Sequence, residues 1–206
     1  MKQSICILLL SIGCIWLIGC TRKKVLPEDQ ILVYAADASN GLIQEDSVHG
    51  LKIEVQNRPV SLIIAQQLRN RDSVSVSLKD SVTKMFSPNV YFNLNLSVQD
   101  KDPLLYSGSM QTFSTLLQTL AFQMDKYVYL TTSAKDTIPV GDYVYPRLYG
   151  MGSGSTMLFA FRMDSSRWAK ADWVDFHLRE FGMSTGNRKY RFEKSDLDAV
   201  PDLLVE

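Results

Sequence analysis

From Val90 to Val98 an apolar side chain falls on every second residue: Val90, Phe92, Leu94, Leu96 and Val98 alternate with Tyr91, Asn93, Asn95 and Ser97. A period of two belongs to a strand with one buried and one wet face, whereas a helix repeats every 3.6 residues. Such a strand is stable only as part of a sheet, so the chain must supply partners for it. The candidates are Leu117 to Met124, Lys126 to Thr132, Asp142 to Tyr149, Thr156 to Arg162, Trp173 to Glu180 and Arg188 to Glu193, separated by polar or glycine-bearing turns. Seven short strands with close turn signals predict a mostly β fold, an antiparallel immunoglobulin-like β-sandwich. Leu117 to Met124 reads as a strand because Met124-Asp125-Lys126 would make a tight reversal, although Phe113, Leu116, Leu117 and Leu120 also fit a helical stripe.

The preceding part is mixed. Pro59 followed by Val60, Ile63, Ile64 and Leu68 predicts a short helix with proline in its first turn. Asp72 to Leu78 alternates Val74, Val76 and Leu78 with polar residues and reads as a strand, and Met85 to Asn89 as a turn. The expected organisation is a single domain over 31–206, with a mixed N-terminal part at 31–88 and the main strands at 89–206.

At the N-terminus Lys2 precedes an apolar run of 14 residues, Ile5 to Ile18, that closes on Leu17-Ile18-Gly19-Cys20. Charge, apolar stretch and small residue stand in signal-peptide order, and the run is short for a spanning helix, which needs roughly 20 apolar residues. Leu17-Ile18-Gly19-Cys20 resembles the lipobox of bacterial lipoproteins. The resemblance implies that 1–19 is a signal peptide, that Cys20 is acylated and binds membrane lipid, and that 20–30 is a tether in which Pro27 prevents helix. Thr21 in place of Asp implies the outer membrane, on either face. Cys6 and Cys14 would leave with the signal peptide, so no intramolecular disulfide is expected. The stretches Asp136-Thr137-Ile138-Pro139, Tyr143 to Tyr149 and Leu158-Phe159-Ala160-Phe161 are loosely similar to uncharacterised small lipoproteins of Bacteroidetes-type bacteria, a likeness that names no activity.

The chain beyond Gly19 carries 21 Lys and Arg against 22 Asp and Glu, without the basic surplus of a nucleic-acid binder. Beside an acylated cysteine, Arg22-Lys23-Lys24 would touch lipid phosphates. Chemistry-bearing motifs are sparse. Gly150 to Thr156 is rich in glycine but leads into an apparent strand, so it reads as a hairpin connection and not as a phosphate loop. His49 and His177 stand far apart without ligand spacing, and His177 falls on the polar side of its strand with Asp175. Asp136, Asp142, Asp172 and Asp175 flank candidate strands and are the acids a carboxylate-dependent hydrolase could use. No catalytic residue, metal or cofactor is assigned.

The tyrosines carry the binding expectation. Tyr127 and Tyr129 alternate with Val128 and Leu130, and Tyr143, Tyr145 and Tyr149 with Val144, Pro146 and Leu148. If valine and leucine face the core, both strands turn their tyrosines to one outer surface, with Trp168 beside it. Such rings suit docking of another envelope protein or, alternatively, a surface glycan. The competing reading is that a loop or the mixed N-terminal part covers them. The sequence thus predicts a non-enzymatic accessory or structural lipoprotein of the cell envelope, with glycan binding and carboxylate-dependent hydrolysis as alternatives.

Overall fold

The structure is a computed structural model that describes residues 23–69, 75–146 and 152–204. In chain order its elements are β1 (Val25–Leu26), α1 (Glu28–Ala36), β2 (Ile43–Val48), β3 (Leu51–Arg58), α2 (Val60–Leu68), α3 (Val76–Phe86), β4 (Asn89–Val98), α4 (Met110–Phe122), β5 (Val128–Thr132), β6 (Thr137–Pro139), β7 (Asp142–Val144), β8 (Ser155–Arg162), α5 (Ser165–Lys170), β9 (Trp173–Leu178), β10 (Arg188–Glu193), α6 (Lys194–Asp198) and β11 (Asp202–Leu203).

The strands form a five-stranded antiparallel sheet in the order β2-β3-β4-β8-β7, a four-stranded antiparallel sheet in the order β10-β9-β5-β6, and a parallel pair β1-β11. Strand alternation puts Phe92, Leu94 and Leu96 of β4 and Met157, Phe159 and Phe161 of β8 on one face, fully buried. That face meets Leu130, Phe176 and Phe192 of the smaller sheet in one core. The Phe92 ring lies 5.6 Å from Phe176 and 4.9 Å from Phe192, centroid to centroid. Between β6 and β7 the chain crosses from the smaller sheet to the larger, and the Gly141 N–H donates to the Ala160 carbonyl at 2.9 Å. A second core of Ile31, Ala35, Leu42, Leu62 and Val200 joins α1 and α2 to the C-terminal segment.

Helix is as abundant as strand among the described residues, so the architecture is mixed α/β with antiparallel sheets and not the nearly all-strand immunoglobulin-like plan. Two expected strands are helical. Leu117 to Met124 lies mostly in α4, started by Ser109, whose Oγ accepts from the Thr112 N–H at 3.1 Å. Its buried stripe runs through Leu116 and Leu120, so the spacing at 3 and 4 prevails over the local alternation. Of Asp72 to Leu78 only 75–78 is described. There Ser75 caps α3 by accepting from the Leu78 N–H at 3.2 Å, and Val76 is exposed on the first turn. The helix expected after Pro59 forms as α2.

Two further features depart from the sequence reading. Pro27 does not prevent helix but precedes it: its carbonyl accepts from the Ile31 N–H at 3.1 Å, and a proline at a helix start forfeits no needed donor. β1 pairs with β11 and α1 starts at Glu28, so part of the segment expected to be a tether belongs to the fold. The hairpin β2-β3 turns on His49 and Gly50, both at positive φ (50° and 82°), as a two-residue primed turn requires. Among the described residues no helix is long and apolar enough to cross a membrane.

Candidate functional site

The outer face of the larger sheet carries a groove. Alternation turns Asn89, Tyr91 and Asn93 of β4, Thr156, Leu158, Ala160 and Arg162 of β8, and Asp142 and Val144 of β7 away from the core. Helices α2 and α3, through Ile63, Met85 and Phe86, wall this floor and leave an open cavity of about 720 Å³. The wall is tied down at Tyr91, whose hydroxyl donates to the Phe86 carbonyl at 3.2 Å and accepts from Asn89 Nδ2 at 3.3 Å. Burial pushes the Tyr91 phenol up, and the Asn89 contact only partly offsets it. Where β8 begins, Gly154 passes so close to β4 that a Cβ there would sit 2.6 Å from both Asn95 Oδ1 and the Leu96 carbonyl. Only glycine allows that approach.

A second cavity, about 620 Å³, adjoins the first, because Asn89 and Arg162 line both. It lies among α5, the α6–β11 segment and the chain's first described residue, Lys23. Its carboxylates are engaged: Asp164 caps α5 by accepting from the Arg167 N–H at 2.9 Å, and Asp198 accepts from Trp168 Nε1 at 2.9 Å and Lys194 Nζ at 2.6 Å. Asp202 pairs with Lys23 at 3.5 Å. The exposed Arg162 guanidinium, at the junction, makes no ion pair or side-chain hydrogen bond among the described residues.

The outer face of the smaller sheet is a different surface. Asp175 is buried, yet it receives Arg191 through Nε at 2.8 Å and Nη2 at 3.0 Å, with Lys189 Nζ at 3.5 Å. Burial pushes its carboxyl up, but the Arg191 hydrogen bonds and the two cationic charges outweigh that and hold it below the usual range. The Arg191 guanidinium also covers Trp173, 3.8 Å from the ring centroid. One step along, His177 stacks on Tyr129 at 4.5 Å with planes 4° apart, and its Nε2 is 2.8 Å from Thr131 Oγ1. Arg179 sits 4.8 Å from the Tyr129 centroid.

These placements scatter the expected tyrosine surface. Tyr129 alone among those described holds the predicted outward position, while Tyr127 packs at the core edge, 6.3 Å from Phe181. Val144 is 55% exposed, and Tyr143 points inward onto Phe159. Tyr145 packs on the core with its hydroxyl 3.0 Å from Ser155 Oγ. The parity is reversed because β7 joins the other sheet, whose interior lies on its opposite side. Trp168 lines the second cavity, away from Tyr129. Tyr149 and Cys20 lie outside the described residues.

Of the four acids, Asp142 lines the groove, Asp136 and Asp172 sit at turns, and Asp175 is clamped by Arg191. His49 is a turn residue, and His177 is half-buried against Tyr129, where a solvated position was expected. Among the described residues no three His, Cys, Asp or Glu side chains are grouped to hold a metal. Sequence reasoning missed Arg162, although it closes the outward row of β8. It also missed the Asp175–Arg191 pair, since the β9–β10 register that joins them is set by the fold. No family model, curated protein or solved structure matches this chain.

Proposed function

We propose that the chain is a lipid-anchored accessory module of the cell envelope, held at the outer membrane through Cys20, that acts by binding at the groove over β4, β8 and β7. The observation that carries the reading is the 720 Å³ cavity, within the range of small-molecule sites. Its lining supports binding over catalysis: among the described residues Asp142 and Arg162 are its ionised groups, and the other side chains are apolar, hydroxyl or amide. The anchoring half rests on the order of Lys2, the apolar run and Leu17-Ile18-Gly19-Cys20. Docking of another envelope protein now falls to the groove rim, because Tyr143 and Tyr145 are packed on the core.

The test places a photo-crosslinking residue in cells at Gln66, on the exposed rim of α2, and separately at Lys189 on the opposite sheet. A discrete adduct at Gln66 and none at Lys189 is expected, and the reverse would move the binding face to the smaller sheet. Cys20→Ser, examined by fractionation and lipid-analogue labelling, should lose both label and membrane retention. Full labelling of that variant would refute the anchor.

A further inference from the structure

The two cavities share Asn89 and Arg162, a cross-strand pair where β4 begins and β8 ends, so Arg162 stands at one end of the groove on the outer face of the larger sheet. The apolar lining of the groove is Leu158, Ala160, Val144, Ile63, Met85 and Phe86. The second cavity lies round the end of the sheet, where Val90 and Met163 turn toward the core, and its wall adds Trp168 and Val200. An arginine on a protein surface commonly finds a carboxylate, and three carboxylates line the second cavity, but each is committed to another donor. Asp142 faces Ala160 across the β7–β8 register and makes no ion pair with Arg162. The groove therefore presents an apolar lining and, at its end, a guanidinium whose five donors in a planar fork no side chain claims among the described residues.

We infer that the groove binds an anionic single-chain amphiphile, its carboxylate or phosphate on Arg162 and its hydrocarbon tail along Leu158 and Ala160 over the β8 floor. This rests on the binding reading above and names the ligand class of the same site. A guanidinium recognises either headgroup through two parallel hydrogen bonds, and the tail supplies the remaining affinity by leaving water. A neutral ligand would leave Arg162 without a counter-charge at the end of the groove, and a small polar anion would leave the apolar lining wet. The position also fits a supply from the bilayer. Lys23, which lines the second cavity, is three residues from Cys20, at most about 11 Å of chain.

The experiment uses the purified full chain carrying Cys20→Ser, so that no acyl group of its own competes. Four probes are titrated by calorimetry below their micelle concentrations: palmitate, a lysophosphatidic acid, hexadecanol and acetate. The expected order places both long-chain anions at least tenfold tighter than hexadecanol, with acetate not bound. The ratio of palmitate to lysophosphatidic acid identifies which headgroup the fork prefers. Arg162→Gln should weaken the long-chain anions tenfold or more and leave hexadecanol unchanged. Ala160→Phe, filling the floor, should abolish all binding, and Gln66→Trp at the rim serves as a second block should Ala160→Phe fail to fold. Equal affinity for hexadecanol and palmitate, or an Arg162→Gln chain that binds palmitate like the parent, would overturn the inference. If no amphiphile binds but the Gln66 crosslink still forms in cells, the ligand class falls and the binding module stands.

Discussion

The Tyr143 ring lies on Phe159 with centroids 5.4 Å apart, and its hydroxyl accepts the Met124 backbone N–H at 3.2 Å. The ring thus packs β7 on β8 while the hydroxyl satisfies a buried donor at the end of α4. Burial pushes the phenol up, the Met124 hydrogen bond lowers it, and the charge of Asp125 adds to the rise. Tyr143→Ser should destabilise by about 3–5 kcal/mol, as large aromatic truncations do. Tyr143→Phe keeps the ring and strands the Met124 N–H, at a cost of about 1–3 kcal/mol. Urea denaturation measures both, and a Tyr143→Ser chain as stable as the parent would place the ring in solvent.

Asp175→Asn should cost roughly 1.5–3 kcal/mol, because two hydrogen bonds from Arg191 to a buried carboxylate lose their charge. The pH dependence has a definite sign. The folded carboxyl titrates below its unfolded value, so the stabilisation is complete above the unfolded pKa and is lost as pH falls through the folded one. The parent should therefore lose stability in acid more steeply than Asp175→Asn. Parallel pH profiles of the two would show that Asp175 is not held by these cations.

His177 is lowered mainly by burial, while Asp175 raises it and Lys189 and Arg179 lower it. Its ring should titrate below the ordinary histidine value in an NMR experiment. Because the neutral form is favoured in the fold, the linked stability is complete above the unfolded pKa and falls away as pH drops toward the folded one. In Asp175→Asn the one opposing charge is gone, so His177 should titrate lower still. A move upward would mean that the Asp175 charge does not favour the imidazolium.

The elements legible in the sequence are those whose pattern is local. Val90 to Val98 and Arg188 to Glu193 lie in the strands their alternation predicts, and Pro59 opens a helix. The α4 error arose where Leu117 to Met124 could satisfy either period over a short window. The decisive marks were Ser109 upstream and the wider stripe through Phe113, Leu116 and Leu120. The hairpin β2-β3 was present as alternation of Leu51, Ile53 and Val55 with Lys52, Glu54 and Gln56, and a His-Gly turn is a weaker signal than Asn-Gly. The site was less legible. Arg162 matters because it lines two cavities, and the direction of Tyr143 depends on which sheet β7 joins. Both are properties of tertiary topology that no run of residues encodes by itself.

Glu180 organises the β9–β10 connection, which contains three residues at positive φ: Gly182, Ser184 and Gly186. Its Oε1 accepts from the Gly182 N–H at 2.7 Å and the Ser184 N–H at 3.0 Å, and its Oε2 from the Gly186 N–H at 2.6 Å and Thr185 Oγ1 at 3.0 Å. Burial pushes this carboxyl up, but the four donors outweigh it and hold it low. The turn also fixes Phe181, which is buried against Tyr127. Glu180→Ala should therefore free the amides of residues 182, 184 and 186 to exchange with solvent at least tenfold faster. It should cost about 1–2 kcal/mol, or roughly 2–8 °C in Tm. Glu180→Gln separates charge from shape: its amide oxygen can serve one pair of donors, while its NH2 meets the other pair donor to donor. It should lie between the parent and Glu180→Ala in exchange, and it should lose the acid sensitivity that the lowered carboxyl gives the loop, which appears as pH falls through the folded pKa. Unchanged exchange in Glu180→Ala would mean that backbone conformation alone holds the turn, with the carboxylate a passive occupant.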